Sequence, residues 1–351
     1  MAWTGCLDRR LGEGPVKAHN LDIHPAGDIV ALYPGISALA DNTLVKRAFD
    51  RYEAAANRSK AVYHRYGALS VWLIAASAIY SVAYGIFDLE FPGRFHVSLF
   101  FAACAAVALA IQVWFWRARP KNAWLVARYA AERVRSIKFQ GFTTVFTAGD
   151  AGDLAARADA YYGAALAELE SELNGDVAVL RAFKSDEAID LVDEPAQPAS
   201  PALYDNARRA FRALRLDYEE RFARSAVEAL EERGHLWRGS ADYLFVTGAL
   251  LVLVTIVARA YGFDHAVQRV LEFVAVSVFI LSASLALLEH ASLAAVSEQR
   301  YREYGRDLEK VRVQVDAAKL GLRAEIEATE RLALRELQEF CTSALLISYR
   351  I

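Results

Sequence analysis

The stretch that decides the fold is Gly67–Phe87, GALSVWLIAASAIYSVAYGIF, which runs for 21 residues without a charged side chain. A second uncharged run of 20 residues, VSLFFAACAAVALAIQVWFW, occupies 97–116. A helix needs about 20 apolar residues to cross the ~30 Å hydrocarbon core of a bilayer. We therefore predict a transmembrane hairpin whose turn contains Pro92 and Gly93. The alternative, two helices buried in a soluble core, is disfavoured because soluble helices of this length usually carry charges.

A second hairpin is predicted further along the chain. Two apolar runs of 16 residues, YLFVTGALLVLVTIVA and FVAVSVFILSASLALL, start at Tyr243 and Phe273. Their edges extend, which gives spans at 243–260 and 270–288. Arg259 and Glu272 flank the turn, where Arg259 can reach the membrane interface or pair with Glu272.

The distribution of basic residues predicts the orientation, because Lys and Arg mark the cytoplasmic side. Six precede the first span, seven follow the second, and the turn between them holds only Arg94. The second hairpin shows the same bias: four Lys and Arg residues precede it, four follow it, and two lie in its turn. We expect a multi-pass protein of the bacterial inner membrane with both termini in the cytoplasm and membrane lipid as its surroundings.

Composition excludes several other classes of protein. With 55% hydrophobic residues and a net charge of −3, the chain is neither disordered nor a generally basic nucleic-acid binder. Three cysteines cannot form a disulfide framework, and the N-terminus lacks the apolar core of a signal peptide. The seven histidines show no metal-ligand spacing, and no catalytic motif is present. We expect no enzyme, no catalytic residues, no metal and no cofactor.

The extramembrane segments predict an all-α protein with long cytosolic helices. Residues 1–40 are punctuated by glycine and proline and read as irregular, with Asp28–Tyr33 as a short strand. A helix is expected from Thr43 straight into the first span. The last cytosolic helix is expected from about Glu289 to Phe340, reaching on the order of 75 Å. Its apolar positions from Tyr304 to Leu322 alternate by four and three, which is typical of a coiled-coil stalk, with a solvated charged helix as the alternative.

The chain reads as a duplication. The two hairpin turns share an Ala-Tyr-Gly string, and charged helical stretches precede and follow each hairpin. A proline-rich linker, 193–203, separates a first helix–hairpin–helix unit at 41–192 from a second at 204–351.

The helix after the second span carries a motif, Trp124-x3-Arg128-x3-Glu132-x2-Arg135-x3-Phe139. Arg128, Glu132 and Arg135 share one helix face and can pair with one another, which is a structural role; a ligand site is the alternative. The motif, directly after a transmembrane hairpin, resembles the SLATT superfamily of bacterial two-transmembrane modules. The resemblance covers about 43–140, and covers 204–315 only in architecture. It implies a membrane effector of a bacterial conflict or antiphage defence system, activated by a cytosolic sensor or nucleotide-signal partner.

Two functions from different classes follow. The first is a homo-oligomeric membrane effector that forms a pore or ion channel or disrupts the membrane. Polar side chains in the spans could line such a pore or simply pack between helices: Ser70, Ser77, Ser81, Gln112, Ser277, Ser282 and Ser284. The second is a membrane-anchored scaffold or sensor whose cytosolic helices bind a partner or small ligand.

Overall fold

The fold is all-helical over the part of the chain that our computed structural model describes, namely residues 20–25, 27–87, 94–173, 177–237, 239–292, 294–318 and 320–346. In chain order the helices are α1 Gly27–Leu32, α2 Ser37–Ala40, α3 Thr43–Phe87, α4 Arg94–Ala118, α5 Pro120–Gln140, α6 Ala151–Glu172, α7 Ala178–Ala182, α8 Pro201–Phe211, α9 Asp217–Trp237, α10 Ser240–Ala260, α11 His265–Ser292, α12 Ala294–Ala318 and α13 Leu322–Leu346. Short 3-10 turns cover Gly141–Phe146 and Ser185–Ala188, and a π-helical turn covers Arg212–Leu216.

Four helices are long and apolar enough to cross a membrane, in the places that the sequence predicts: within α3, α4, α10 and the apolar part of α11. Helix α3 packs on α4, α10 packs on α11, and α11 packs on α3. Gly248 of α10 allows close approach, since a Cβ there would meet the ring of Phe279 at 3.2 Å. Outward-facing side chains such as Leu109 and Leu250 are 64% and 58% exposed, which suits contact with lipid. The turn with Pro92 and Gly93 lies outside the described residues.

Helix α3 connects the apolar half of the protein, which contains the four apolar helices, to the polar half, which contains the other helices. It runs unbroken for 45 residues, with its second half against α4 and its first half against α5. Between α4 and α5, Arg119 takes a left-handed conformation (φ 47°) and Pro120 begins the next helix. Proline suits that position because the first helical N–H has no intrahelical partner.

The second half of the chain repeats this order of packing. Helix α9 packs on α12, as α3 packs on α5, with the pair α10 and α11 between them in sequence. The two halves differ where the span begins: Gly239 (φ 86°) separates α9 from α10, whereas α3 has no break. The predicted duplication, with units at 41–192 and 204–351, stays a prediction.

The prediction of one helix from Glu289 to Phe340 is wrong. The end of α11 and two further helices, α12 and α13, occupy this stretch, and α13 turns back to pack on α12 and α5. The linker explains the break, because its Glu194 accepts a hydrogen bond from Arg323 N–H at 3.0 Å and so caps the start of α13. Tyr304 and Leu308, from the predicted coiled-coil seam, are buried against Leu216 and Ala223 of the same chain instead of extending into a stalk.

The N-terminal segment and the linker are also more ordered than the sequence indicates. The short strand expected at Asp28–Tyr33 is wrong, because Gly27–Leu32 is helix α1. Ile23, Ile36 and Leu39 are fully buried in the main core. In the linker region, Val192 N–H donates to Thr143 Oγ1 at 3.4 Å. Residues 1–19 of the predicted irregular segment lie outside the described residues.

Candidate functional site: a buried ion-pair network beside the membrane helices

The motif helix α5 is the centre of the polar half of the protein. Fourteen of its 21 residues are buried. Trp124 is 6% exposed and packs against Tyr63 of α3 and Phe340 of α13, with ring centroids 6.1 and 6.0 Å apart. Trp124 therefore joins three helices within the protein.

The three charged residues of the motif form a continuous chain of ion pairs. Arg128 Nη1 lies 3.1 Å from Glu53 Oε2 of α3, and Arg128 also pairs with Glu132. Arg135 donates to Glu132 Oε2 at 2.6 Å and lies 2.7 Å from Asp22 Oδ2. These contacts tie α5 to α3 and to the N-terminal segment.

The arginines of this series of ion pairs keep the carboxylate of Glu132 ionised. Burial opposes ionisation, but Arg128 and Arg135 outweigh it and lower the pKa of Glu132 to about 2. Arg135 is itself 5% exposed, and its guanidinium stacks 5.1 Å from the ring centroid of Phe49. Removing Arg135 would leave the buried carboxylate of Asp22 without an ion-pair partner among the described residues.

A second buried cluster, which sequence reasoning missed, adjoins the first. Arg215 is 2% exposed; its Nε lies 2.6 Å from Glu330 Oε1 of α13, and it also pairs with Glu219. The guanidinium of Arg215 lies 5.0 Å from the ring centroid of Phe139, the last motif residue. Phe139 of α5 thus packs against the second cluster.

Glu219 differs from its neighbours in holding a proton readily. Burial raises its pKa to about 7, and Asp22 and Glu132 act in the same direction, against Arg215 and Arg135. These groups come from the N-terminal segment, α5 and the π-helical turn. Arg215 lies within that turn, Arg212–Leu216, and such wide turns often occur at functional sites.

Lys138 is a further buried charge that sequence reasoning missed. It is 1% exposed and donates to the carbonyl oxygen of Ala40 at 2.8 Å and to that of Asp22. Burial is the main cause that lowers its pKa, to about 7. Its role is to hold the N-terminal segment on α5.

One signal could have revealed part of this site. Arg215 and Glu219 lie four residues apart on the same helical stripe as Phe211 and Tyr218, so charges appear on a face that otherwise reads as core. Lys138 and Asp22 carry no comparable signal.

The polar residues of hairpin one contact neighbouring backbone or side chains. Gln112 donates to Ser70 Oγ at 2.9 Å, which links α4 to α3. Ser77 donates to the carbonyl oxygen of Phe101 at 2.9 Å, and Ser81 bonds within its own helix to Ser77. The bonds of Gln112 and Ser77 therefore connect the two helices of the hairpin within one chain.

Hairpin two shows the same behaviour. Ser282 donates to the carbonyl oxygen of Ala241 at 2.7 Å, and Ser284 bonds to Ile280 of its own helix. The hydroxyl of Ser277 is buried without a hydrogen-bond partner among the described residues. At the turn, Arg259 Nη2 donates to Glu272 Oε1 at 2.9 Å.

No protein-family model, curated protein or solved structure matches this chain. Within the described ranges, no group of three or more His, Cys, Asp or Glu residues is placed to hold a metal ion. The site is therefore defined by its own geometry: a buried network of ion pairs that joins the N-terminal segment, α3, α5, the π-helical turn and α13.

Proposed function

We propose that this protein is a homo-oligomeric membrane effector of a bacterial defence system, in the inner membrane with both termini in the cytoplasm. On activation from the cytosol, its spans open a pore or disrupt the membrane. One observation carries the proposal: α3 is a single helix whose first half holds the network and whose second half is a span. Glu53 of α3 pairs with Arg128, and Ser70 of the same helix bonds to Gln112 of α4.

Continuity of α3 makes it a mechanical link. Because a helix is rigid over a few turns, a change in the network at the start of α3 would shift or rotate the span that follows in the same helix. A cytosolic sensor or nucleotide-signal partner, which the resemblance to SLATT modules implies, would act by breaking or rearranging the buried ion pairs.

A pore, in this proposal, forms between copies of the chain. The bonds of Ser70, Ser77 and Ser282 are made to neighbouring helices of the same chain. Outward-facing residues of the spans, such as Leu253 and Ile256, are 57% and 60% exposed and apolar. Conduction would therefore need protomers to assemble and their spans to rearrange.

The test is potassium flux from liposomes that contain the purified protein, with its oligomer size measured in detergent. We expect Arg135→Met, which breaks the network, to increase flux from a defined oligomer. Arg157→Met is the matched control, because the ion pair of Arg157 with Asp153 is exposed and lies within α6. Liposomes that stay sealed with both variants and with the unmodified protein would contradict the proposal.

A second candidate function, a membrane-anchored sensor, is favoured by one surface feature. An open groove of about 570 Å³ lies beside α8 and is lined in part by Arg208, Arg209 and Arg212. Arg208 and Arg212 already bind Glu325, so a ligand here would compete with that ion pair. Sealed liposomes, together with thermal stabilisation by a cytosolic small-molecule fraction that Arg209→Ala abolishes, would favour the sensor.

A further inference from the structure

Hairpin one carries a cluster of aromatic and basic side chains where its apolar runs end. The rings of Tyr66 on α3 and Trp114 on α4 meet edge to face at 5.6 Å, and each is about two-fifths exposed. Arg65 precedes Tyr66, and Arg117 follows Trp114 by three residues, which places it on the same helix face. Both arginines are exposed.

The stretches of sequence that carry this cluster contain no acidic residue. The sequence holds no Asp or Glu between Glu53 and Asp88, nor between Glu90 and Glu132. Two more exposed arginines belong to the same stretches: Arg58, seven residues before Arg65 on one face of α3, and Arg119, at the junction of α4 and α5. Among the described residues, none of these four arginines forms an ion pair.

The corresponding end of hairpin two is different. Arg302, after α11, pairs with Glu231 and Glu298, and Arg300 lies 2.8 Å from Glu336. These two cations are therefore neutralised within the protein. In this respect Arg300 and Arg302 differ from the four unpaired arginines of hairpin one.

We propose that this arginine–aromatic rim (Arg58, Arg65, Tyr66, Trp114, Arg117 and Arg119) binds the headgroups of anionic phospholipids. Guanidinium groups bind phosphate through charge-assisted hydrogen bonds, and Trp and Tyr favour the membrane interface. Adjacent apolar side chains commit the site to a lipid instead of a free phosphate. Leu69 and Val113 are 42% and 56% exposed next to the rim, where acyl chains would contact them. The inference rests on the membrane helices and does not depend on pore formation.

The test is native mass spectrometry of the delipidated full-length protein with equimolar phosphatidylglycerol and phosphatidylcholine. We expect the unmodified protein to retain phosphatidylglycerol preferentially. An arginine near an anionic surface contributes about fivefold to binding, so replacing four by Gln should weaken binding by roughly several hundredfold. A charge-matched control replaces four exposed cations outside the rim by Gln: Arg157, Arg209, Arg224 and Lys310.

Retention of the preference in the control, together with its loss in the rim variant, supports the proposal. Equal retention of the two lipids by the unmodified protein, or equal loss in rim and control variants, overturns it. If the quadruple variant does not fold, a salt titration of the unmodified protein decides. Phosphatidylglycerol retention that falls with ionic strength supports the rim, and retention that does not change overturns it.

Discussion

Replacing Arg215 by Met is the strongest test of how much the buried network stabilises the fold. Arg215 is 2% exposed and pairs with Glu330, whose side chain is 0% exposed, and with Glu219, whose side chain is 7% exposed. Met fills a similar volume but leaves two buried carboxylates without their cation. Removing one partner of a buried ion pair costs about 3–5 kcal/mol. We expect a loss of that size in the free energy of unfolding near neutral pH.

Protonation makes the size of this loss depend on pH. Glu219 already has a pKa of about 7, and without Arg215 that pKa rises further. A proton on Glu219 removes one of the two unpaired charges. The loss should therefore be larger at about pH 8 than at about pH 5.5.

The assay is thermal unfolding of the purified protein in detergent, followed by circular dichroism at both pH values. Arg157→Met serves as control, because its ion pair with Asp153 is exposed and should contribute little to stability. The double variant Arg215→Met with Glu330→Gln should recover part of the loss, because one stranded carboxylate is gone. A loss no greater than that of Arg157→Met, or one that is independent of pH, would refute the reasoning.

Three further predictions concern single positions. Folding raises the pKa of Glu219 from 4.5 to about 7, so its protonation contributes stability that is complete below about pH 4.5 and lost as the pH rises through about 7. Glu219→Gln should therefore flatten the dependence of the melting temperature on pH in this range. An unchanged dependence would count against this reasoning. A Cβ at Gly141 would overlap the ring of Tyr162, so Gly141→Ala should destabilise the protein by about 1–3 kcal/mol in thermal unfolding, whereas Gly149→Ala, which has open space, should not. Gln112→Leu removes the hydrogen bond to Ser70 and should cost about 0.6 kcal/mol of thermal stability; a loss several times greater would mean that this bond does more than hold the hairpin together.

The apolar helices could be predicted from the sequence because their cause is local. A run such as 67–87 must be helical in a bilayer, where every backbone N–H and C=O needs an internal partner. Arg259 and Glu272 were predictable as a pair for the same reason, since both flank one short turn.

The path of the C-terminal helices could not be predicted because it depends on distant residues. The heptad spacing from Tyr304 onward indicates an apolar seam, but the spacing is the same whether α9 or a second chain covers it. The break before α13 depends on Glu194, which lies more than a hundred residues earlier in the chain. The network shows the same limit, because the partners of Arg135 and Arg215 come from the N-terminal segment and α13.

The central claim is that the buried network controls the arrangement of the spans through α3. The most direct test is the distance between spin labels on Val107 of α4 and Leu253 of α10, which are 50% and 57% exposed, measured by pulsed electron paramagnetic resonance with the native cysteines replaced by serine. We predict that Arg135→Met shifts the distribution of this distance, whereas Arg157→Met leaves it unchanged. A distribution that is the same in both variants, with the protein still folded, would contradict the claim.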